Sequence, residues 1–226
     1  MPPAPFDLGR SIHRSPIAEY FATTTLFSKL MPRLSTPNQV DRDHAMGIFA
    51  GVPSIARDPR LTFTFAHVLM PHLGYKIDAS CAPLVRSMGQ SSLAGELDCL
   101  NKRTLTMVHS LLSTSSVPPI IIIQGDHGSQ SLKQFVNDRA IPNTAQARER
   151  FRPFGAYYLP DGGDAVVPDS TSIVNVLRYV FSYYFNADLK PIPNTMYYSH
   201  WRYPYRTTEV DANFHVVLKP THNPAR

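Results

Sequence analysis

Val117-Pro-Pro-Ile-Ile-Ile-Ile-Gln-Gly-Asp-His-Gly128 is the stretch on which the reading of this chain turns. Four consecutive isoleucines, Ile120 to Ile123, are too few to cross a membrane and too uniformly apolar for a half-exposed strand. They predict a strand buried on both faces, as in a parallel sheet covered by helices. The run stops at Gln124-Gly125, and Asp126 and His127 follow at once. In open α/β sheets ligands bind just beyond the carboxyl ends of strands, where this pair would sit. A carboxylate oxygen and an imidazole nitrogen together suit Zn²⁺ or Mn²⁺ better than Ca²⁺. Gly125 and Gly128 flank the pair and let the backbone turn sharply. The competing reading makes Asp126 a helix cap and His127 a surface loop residue.

Upstream of this stretch, Leu61 to Leu69 (Leu-Thr-Phe-Thr-Phe-Ala-His-Val-Leu) is rich in β-formers and predicts another strand. It runs into Met70-Pro71-His72-Leu73-Gly74-Tyr75, so a histidine again follows a strand end. His67 reads as a core residue; His72 is a candidate for meeting a ligand. Between the two strands, Gly89 to Ser113 carries Leu93, Leu97, Leu100, Thr104, Val108, Leu111 and Leu112 at helical steps, an apolar stripe that packs a core. Strand, helix and strand in that order predict a right-handed parallel βαβ unit. Earlier still, helices are expected from Ser15-Pro16 to Met31 and over Gln39 to Phe49. Downstream, Ser129 to Arg150 reads as a long polar loop with some helix, and Phe154 to Leu159 as a strand closed by the turn Pro160-Asp161-Gly162-Gly163. Ser170 to Phe185 reads as a helix with Ile173, Val174, Leu177, Val180, Phe181, Tyr184 and Phe185 on its buried face. Met196–Tyr198 and 214–218 are candidate short strands.

Composition narrows the function classes. With 226 residues, 43% hydrophobic and 17% charged, the chain has the makings of a packed core. Its net charge of +5 is spread thinly, with one loose basic cluster at Arg148 to Arg152. No Lys/Arg run interleaved with aromatics points to nucleic acid, whereas a mild basic balance suits an anionic substrate. The two cysteines, Cys81 and Cys99, lack metal-finger spacing and admit either a disulfide or two buried thiols. No stretch reaches 18 apolar residues, and the N-terminal residues lack the pattern of a signal peptide. There is no G-x-G-x-x-G, Walker loop or G-x-S-x-G elbow.

Four features in order resemble the C-terminal part of the sulfatase-like hydrolases and transferases of the alkaline-phosphatase superfamily, in particular their lipoteichoic-acid-synthase-like bacterial members. They are Phe63 to His72, ending in a Pro-His pair; Leu97-Asp98-Cys99-Leu100-Asn101-Lys102-Arg103; the isoleucine strand with Gly125-Asp126-His127-Gly128; and Tyr157-Tyr158-Leu159-Pro160-Asp161-Gly162-Gly163 before a helix that opens with Ser and Thr. The likeness covers roughly residues 60 to 205.

The resemblance implies a three-layer α/β sandwich with a mostly parallel central sheet. Residues 1–59 would form a mainly helical extension and residues 60–226 the C-terminal part of the sulfatase-like domain. It implies metal-dependent hydrolysis or transfer at a sulfate or phosphate ester of a glycan or lipid headgroup. Asp126 and His127 would bind a divalent metal, Mn²⁺ or Zn²⁺, and His72 would hold the anionic group during catalysis. Family members usually face outward from a membrane anchor. No segment before residue 60 matches the family's nucleophile or first acidic ligands, so a partner chain or upstream sequence would have to supply that half. The alternative is a non-catalytic chain on the same scaffold that binds a partner or an anionic glycan.

Overall fold

A computed structural model describes residues 37–72, 74–84, 92–129, 142–200 and 203–217. They fall into two compact units that divide between Val117 and Pro118. The helix expected from Ser15 to Met31 lies outside the described residues.

The first unit is built on two helices, α1 (Pro37–Ile55) and α2 (Leu93–Thr114), which pack against each other. Ser92 caps α2 by accepting a hydrogen bond from the Gly95 amide, which satisfies one of the donors that every helix start leaves open. The core holds Ala45, Met70, Ile77, Cys81, Cys99 and Leu100, with Met46, Phe49 and Val68 packed against it. Buried positions on α2 are Glu96, Cys99 and Leu100, so of the expected apolar stripe only Leu100 is sealed, Leu93, Leu97, Thr104, Val108 and Leu111 are half-buried, and Leu112 is exposed.

Cys81 and Cys99 form a disulfide, which resolves the choice their spacing left open. It fastens a tight loop to α2. In that loop Ile77 bridges Pro83, and Asp78 Oδ1 accepts from the Ser80 and Ala82 amides and the Ser80 hydroxyl. Those donors, the Ser80 hydroxyl foremost, hold the Asp78 carboxyl below the usual carboxylate range, because each favours the ionised form. On the loop's other side α1 contributes Asn38 Nδ2 to the Leu84 carbonyl (2.8 Å), Arg42 Nε to the Cys81 carbonyl (3.1 Å) and Asp41 to Lys76 Nζ (2.6 Å). Glu96, fully buried, accepts the Lys76 amide at 2.9 Å through Oε1.

The second unit contains two small antiparallel sheets. Strand β1 (Ile121–Gln124) pairs with β2 (Gly155–Tyr158), with Ile121 opposite Tyr158 and Gln124 opposite Gly155. Strands β3 (Met196–His200), β4 (Tyr203–Val210) and β5 (Val216–Val217) form a meander in that order. Helix α3 (Thr144–Arg150) starts with a reciprocal capping box between Asn143 and Gln146. Helix α4 (Ile173–Phe185) ends at Asn186, whose φ of 54° is one that asparagine tolerates better than most residues. Leu159, Val176 and Val180 form the core, with Ile120, Ile122, Tyr157, Val167 and Tyr184 against them. Buried Asn175 is satisfied by the Ile192 backbone on both sides and by Asn194.

This architecture overturns the expected three-layer sandwich with its mostly parallel sheet: among the described residues both sheets are antiparallel, of two and three strands. The βαβ unit fails at both ends. Residues 61–69 carry no strand assignment, and β1 pairs antiparallel with a later strand. The physical reason is that a run of β-branched residues specifies extended backbone, while direction and partner are set by long-range contacts that leave no local mark. Nor are the isoleucines buried on both faces. Ile120 and Ile122 face the core, and Ile121 to Ile123 are all only partly covered. On α4 the buried face is Asn175, Val176 and Val180, whereas Val174 and Phe185 are exposed. A helix apolar on most sides offers several faces, and the neighbours choose one.

Candidate functional site

The Gly125–Gly128 turn leaves the end of β1 and is held at two points. The Gly125 amide donates to the Phe154 carbonyl at 2.9 Å, and the Gly128 amide donates to the Arg150 carbonyl at 2.8 Å. The turn therefore lies against the end of α3 and the residues leading into β2. A Cβ on Gly128 would stand 1.8 Å from the Glu149 carbonyl oxygen, so glycine is required there for close approach of two backbones. Gly125 is less confined, with 3.2 Å to the His127 carbonyl oxygen.

The turn places Asp126 and His127 side by side, with Asp126 Oδ2 3.5 Å from His127 Nε2. Asp126 is 87% exposed and His127 38%. The other ring nitrogen, Nδ1, lies 2.9 Å from the Gly128 carbonyl oxygen and 2.7 Å from Arg150 Nη1. These two contacts demand opposite things of Nδ1. A guanidinium only donates, so Arg150 requires a lone pair on Nδ1 and puts the proton on Nε2. A hydrogen bond to the Gly128 carbonyl requires the proton on Nδ1, and then Nε2 presents its lone pair beside the carboxylate. Arg150 Nη1 also reaches the Gly128 carbonyl at 3.2 Å, so it keeps a partner in either arrangement. Burial pulls the Arg150 guanidinium below its ordinary value, and the carboxylates of Asp126 and Glu149 act against that shift. It stays a cation at any ordinary pH.

The pair suits a metal in part. Ligands about 2.1 Å from a tetrahedral ion stand about 3.4 Å from each other, close to the separation of the two side chains. The tautomer with Nδ1–H on a backbone carbonyl is also the usual arrangement of a metal-bound histidine. Among the described residues no group of three or more His, Cys, Asp or Glu side chains converges, so Asp126 and His127 supply two corners only. His72 is exposed, follows the cis Met70–Pro71 bond and belongs to the first unit, whereas Asp126 and His127 belong to the second.

Beside the pair lies an open depression of about 570 Å³ lined by Ser129, Ala145, Arg148, Glu149 and Arg152. The Ser129 hydroxyl donates to Glu149 Oε1, and the Arg148 guanidinium sits 5.7 Å from the centre of the Phe214 ring. In the sequence, Arg148 to Arg152 was a loose basic cluster with no role. The alternation Arg148, Arg150, Arg152 was the visible signal; that one member folds onto His127 was not.

No family model matches the chain, and comparisons with curated proteins and with solved structures found no significant match.

Proposed function

We propose that this chain takes part in metal-dependent hydrolysis or transfer at a sulfate or phosphate ester, with Asp126 and His127 as two ligands of a divalent cation. The observation that carries this reading is the Asp126–His127 corner, set at tetrahedral bite distance at the end of a strand with arginines beside it. A divalent cation there would polarise the ester oxygens and neutralise charge as it develops. The chain's own residues do the rest of the work that can be assigned. Asp126 offers an exposed carboxylate oxygen. His127 is oriented by the Gly128 carbonyl. Arg150, displaced from Nδ1 when that atom carries its proton, keeps the Gly128 carbonyl and has further N–H donors to offer an anionic oxygen. Arg148 and Arg152 line the adjoining depression with positive charge, which favours an anionic group. His72 remains a proposal as a further anion-binding group.

The second reading, a non-catalytic module for an anionic glycan, is favoured by one observation: Arg148 and Arg152 line their depression without Asp126 or His127. Calorimetric titration with Mn²⁺ and with Zn²⁺ separates the two. The enzyme reading expects binding by the native chain and at least a tenfold loss in Asp126→Ala and in His127→Ala. Anion binding that ignores chelator and both substitutions would refute it in favour of the module.

A further inference from the structure

Ser129 leaves the Gly125–Gly128 turn beside the end of α3, and the backbone fixes it there. The Gly128 amide bonds the Arg150 carbonyl at 2.8 Å, and the Glu149 carbonyl oxygen fills the space that a Cβ on Gly128 would need. The next residue therefore meets the Glu149 side chain, and the Ser129 hydroxyl donates to Glu149 Oε1 across 20 positions of sequence. A hydroxyl in hydrogen-bond contact with a carboxylate is the smallest unit of nucleophilic catalysis, because the carboxylate can take the proton as the oxygen attacks. Ser129 is exposed and Glu149 half-buried, so the oxygen is open to a substrate while the base is held. A Ser–Glu bond at a surface is ordinary by itself. This one shares its open depression of about 570 Å³ with Arg148 and Arg152, so two cations line the space in front of the hydroxyl. Arg150 joins the pair to the Asp126–His127 corner. Its Nη1 lies 2.7 Å from His127 Nδ1, and burial pulls its guanidinium down against the opposing pull of the Asp126 and Glu149 carboxylates.

We propose that Ser129 is a catalytic nucleophile, served by Glu149 as its base, that takes up the phosphoryl group of a phosphate monoester held by Arg148 and Arg152. It is the nucleophile that the ester chemistry proposed above requires, and so rests on that reading, but its reactivity does not need the metal. Ser129 Oγ attacks phosphorus while its proton passes to Glu149 Oε1. The bond from phosphorus to the alcohol oxygen breaks, and Glu149 returns the proton to that departing oxygen. Water then attacks the phosphoserine, gives a proton to Glu149 and releases inorganic phosphate, and the proton goes back to Ser129 Oγ. Phosphoryl transfer passes through a loose transition state, so positioning and neutralised charge do most of the work and a carboxylate suffices as proton acceptor. Each guanidinium offers paired N–H donors to the phosphate oxygens, and Arg148 is held over the Phe214 ring at 5.7 Å. The negative charge on Glu149 repels the substrate dianion before reaction. That repulsion falls as the carboxylate takes up the serine proton, which favours the transition state over the ground state.

The test is covalent labelling of the full chain with an alkyl fluorophosphonate, mapped by peptide mass spectrometry. Serine attack on its phosphorus expels fluoride and leaves a stable phosphonate ester, whereas an unactivated serine scarcely reacts. Ser129 should carry the label in the folded chain and lose it in urea. Glu149→Gln keeps an acceptor for the Ser129 hydroxyl but cannot take its proton, so it should slow labelling by about a hundredfold or more. Excess inorganic phosphate should protect Ser129, and Arg148→Gln with Arg152→Gln should abolish the protection. An unlabelled Ser129, a rate that survives Glu149→Gln, or labelling indifferent to phosphate overturns the proposal. The label also separates the two readings, since it needs no cation. Mn²⁺ or Zn²⁺ bound at Asp126 and His127 with Ser129 unlabelled sinks the nucleophile alone; a labelled Ser129 in a chain that binds neither ion sinks the metal corner alone.

Discussion

Replacing Gly128 by alanine would drive a Cβ into the backbone of the residues that lead to β2. The added atom would stand 1.8 Å from the Glu149 carbonyl oxygen, 3.0 Å from its carbon and 3.2 Å from the Arg152 carbonyl oxygen. These are main-chain atoms, so no side chain can swing aside. The turn must separate from residues 149–152, and the first casualty is the 2.8 Å bond from the Gly128 amide to the Arg150 carbonyl. Loss of that bond costs about 1 kcal/mol, and overpacking of this kind adds about 1–3 kcal/mol, for a total of about 2–4 kcal/mol. Arg150 would also lose its hold on His127 and the Gly128 carbonyl. The control is Gly125→Ala, whose nearest contact is 3.2 Å and whose effect should stay below about 1 kcal/mol. Amide exchange read by mass spectrometry over residues 125–154, together with thermal unfolding, measures both variants. Gly128→Ala should deprotect the Gly128 amide and lower the Tm of its transition by about 10 °C or more. If the two alanine variants unfold alike, with the Gly128 amide still protected, the close approach of the turn to Glu149 is wrong.

Three further outcomes follow from particular contacts. Arg150→Gln removes a cation and a competing donor from His127, so Mn²⁺ or Zn²⁺ should bind several-fold more tightly in calorimetry, by about 1 kcal/mol; unchanged or weaker binding would count against the tautomer argument. The Cys81–Cys99 link closes a loop of 18 residues, and Cys81→Ala with Cys99→Ala should destabilise the first unit by about 3 kcal/mol in urea unfolding. Asp78 has a lowered folded-state pKa, so its contribution is complete above its unfolded value of 3.8 and is lost as the pH falls through the lower folded value. An acid titration of thermal stability should therefore show a decline below about pH 4 that Asp78→Ala makes shallower, the remainder coming from Asp58 and Asp211, whose carboxyls are also held low.

Much of the candidate site was legible because it is local. Asp126 and His127 are adjacent, they follow a β-branched run that stops at a glycine, and the structure keeps them together at 3.5 Å. Arg150 could not be found that way. It is 23 residues along the chain, and only the antiparallel return of the backbone from Gly125 to Phe154 carries it onto the imidazole. Gly128 was read as a residue that permits a sharp turn, yet what it provides is room for the Glu149 carbonyl, which no local pattern records.

The sequence by itself determined some of the helical and extended backbone: the helix read over Gly89 to Ser113, the isoleucine strand, the turn at Asp161-Gly162 and the helix read over Ser170 to Phe185, but not the strand Tyr203–Val210. Those choices rest on caps, β-branching and residues that tolerate positive φ, all of which act over a few residues. Only the tertiary structure decided strand direction, the buried face of α4, the disulfide and the arginine on His127. Each depends on which distant surfaces meet, and a chain rich in apolar faces offers several such meetings of similar local merit. Leu61 to Leu69 shows the same division: its β-forming residues predict a strand, yet these residues form none in the structure.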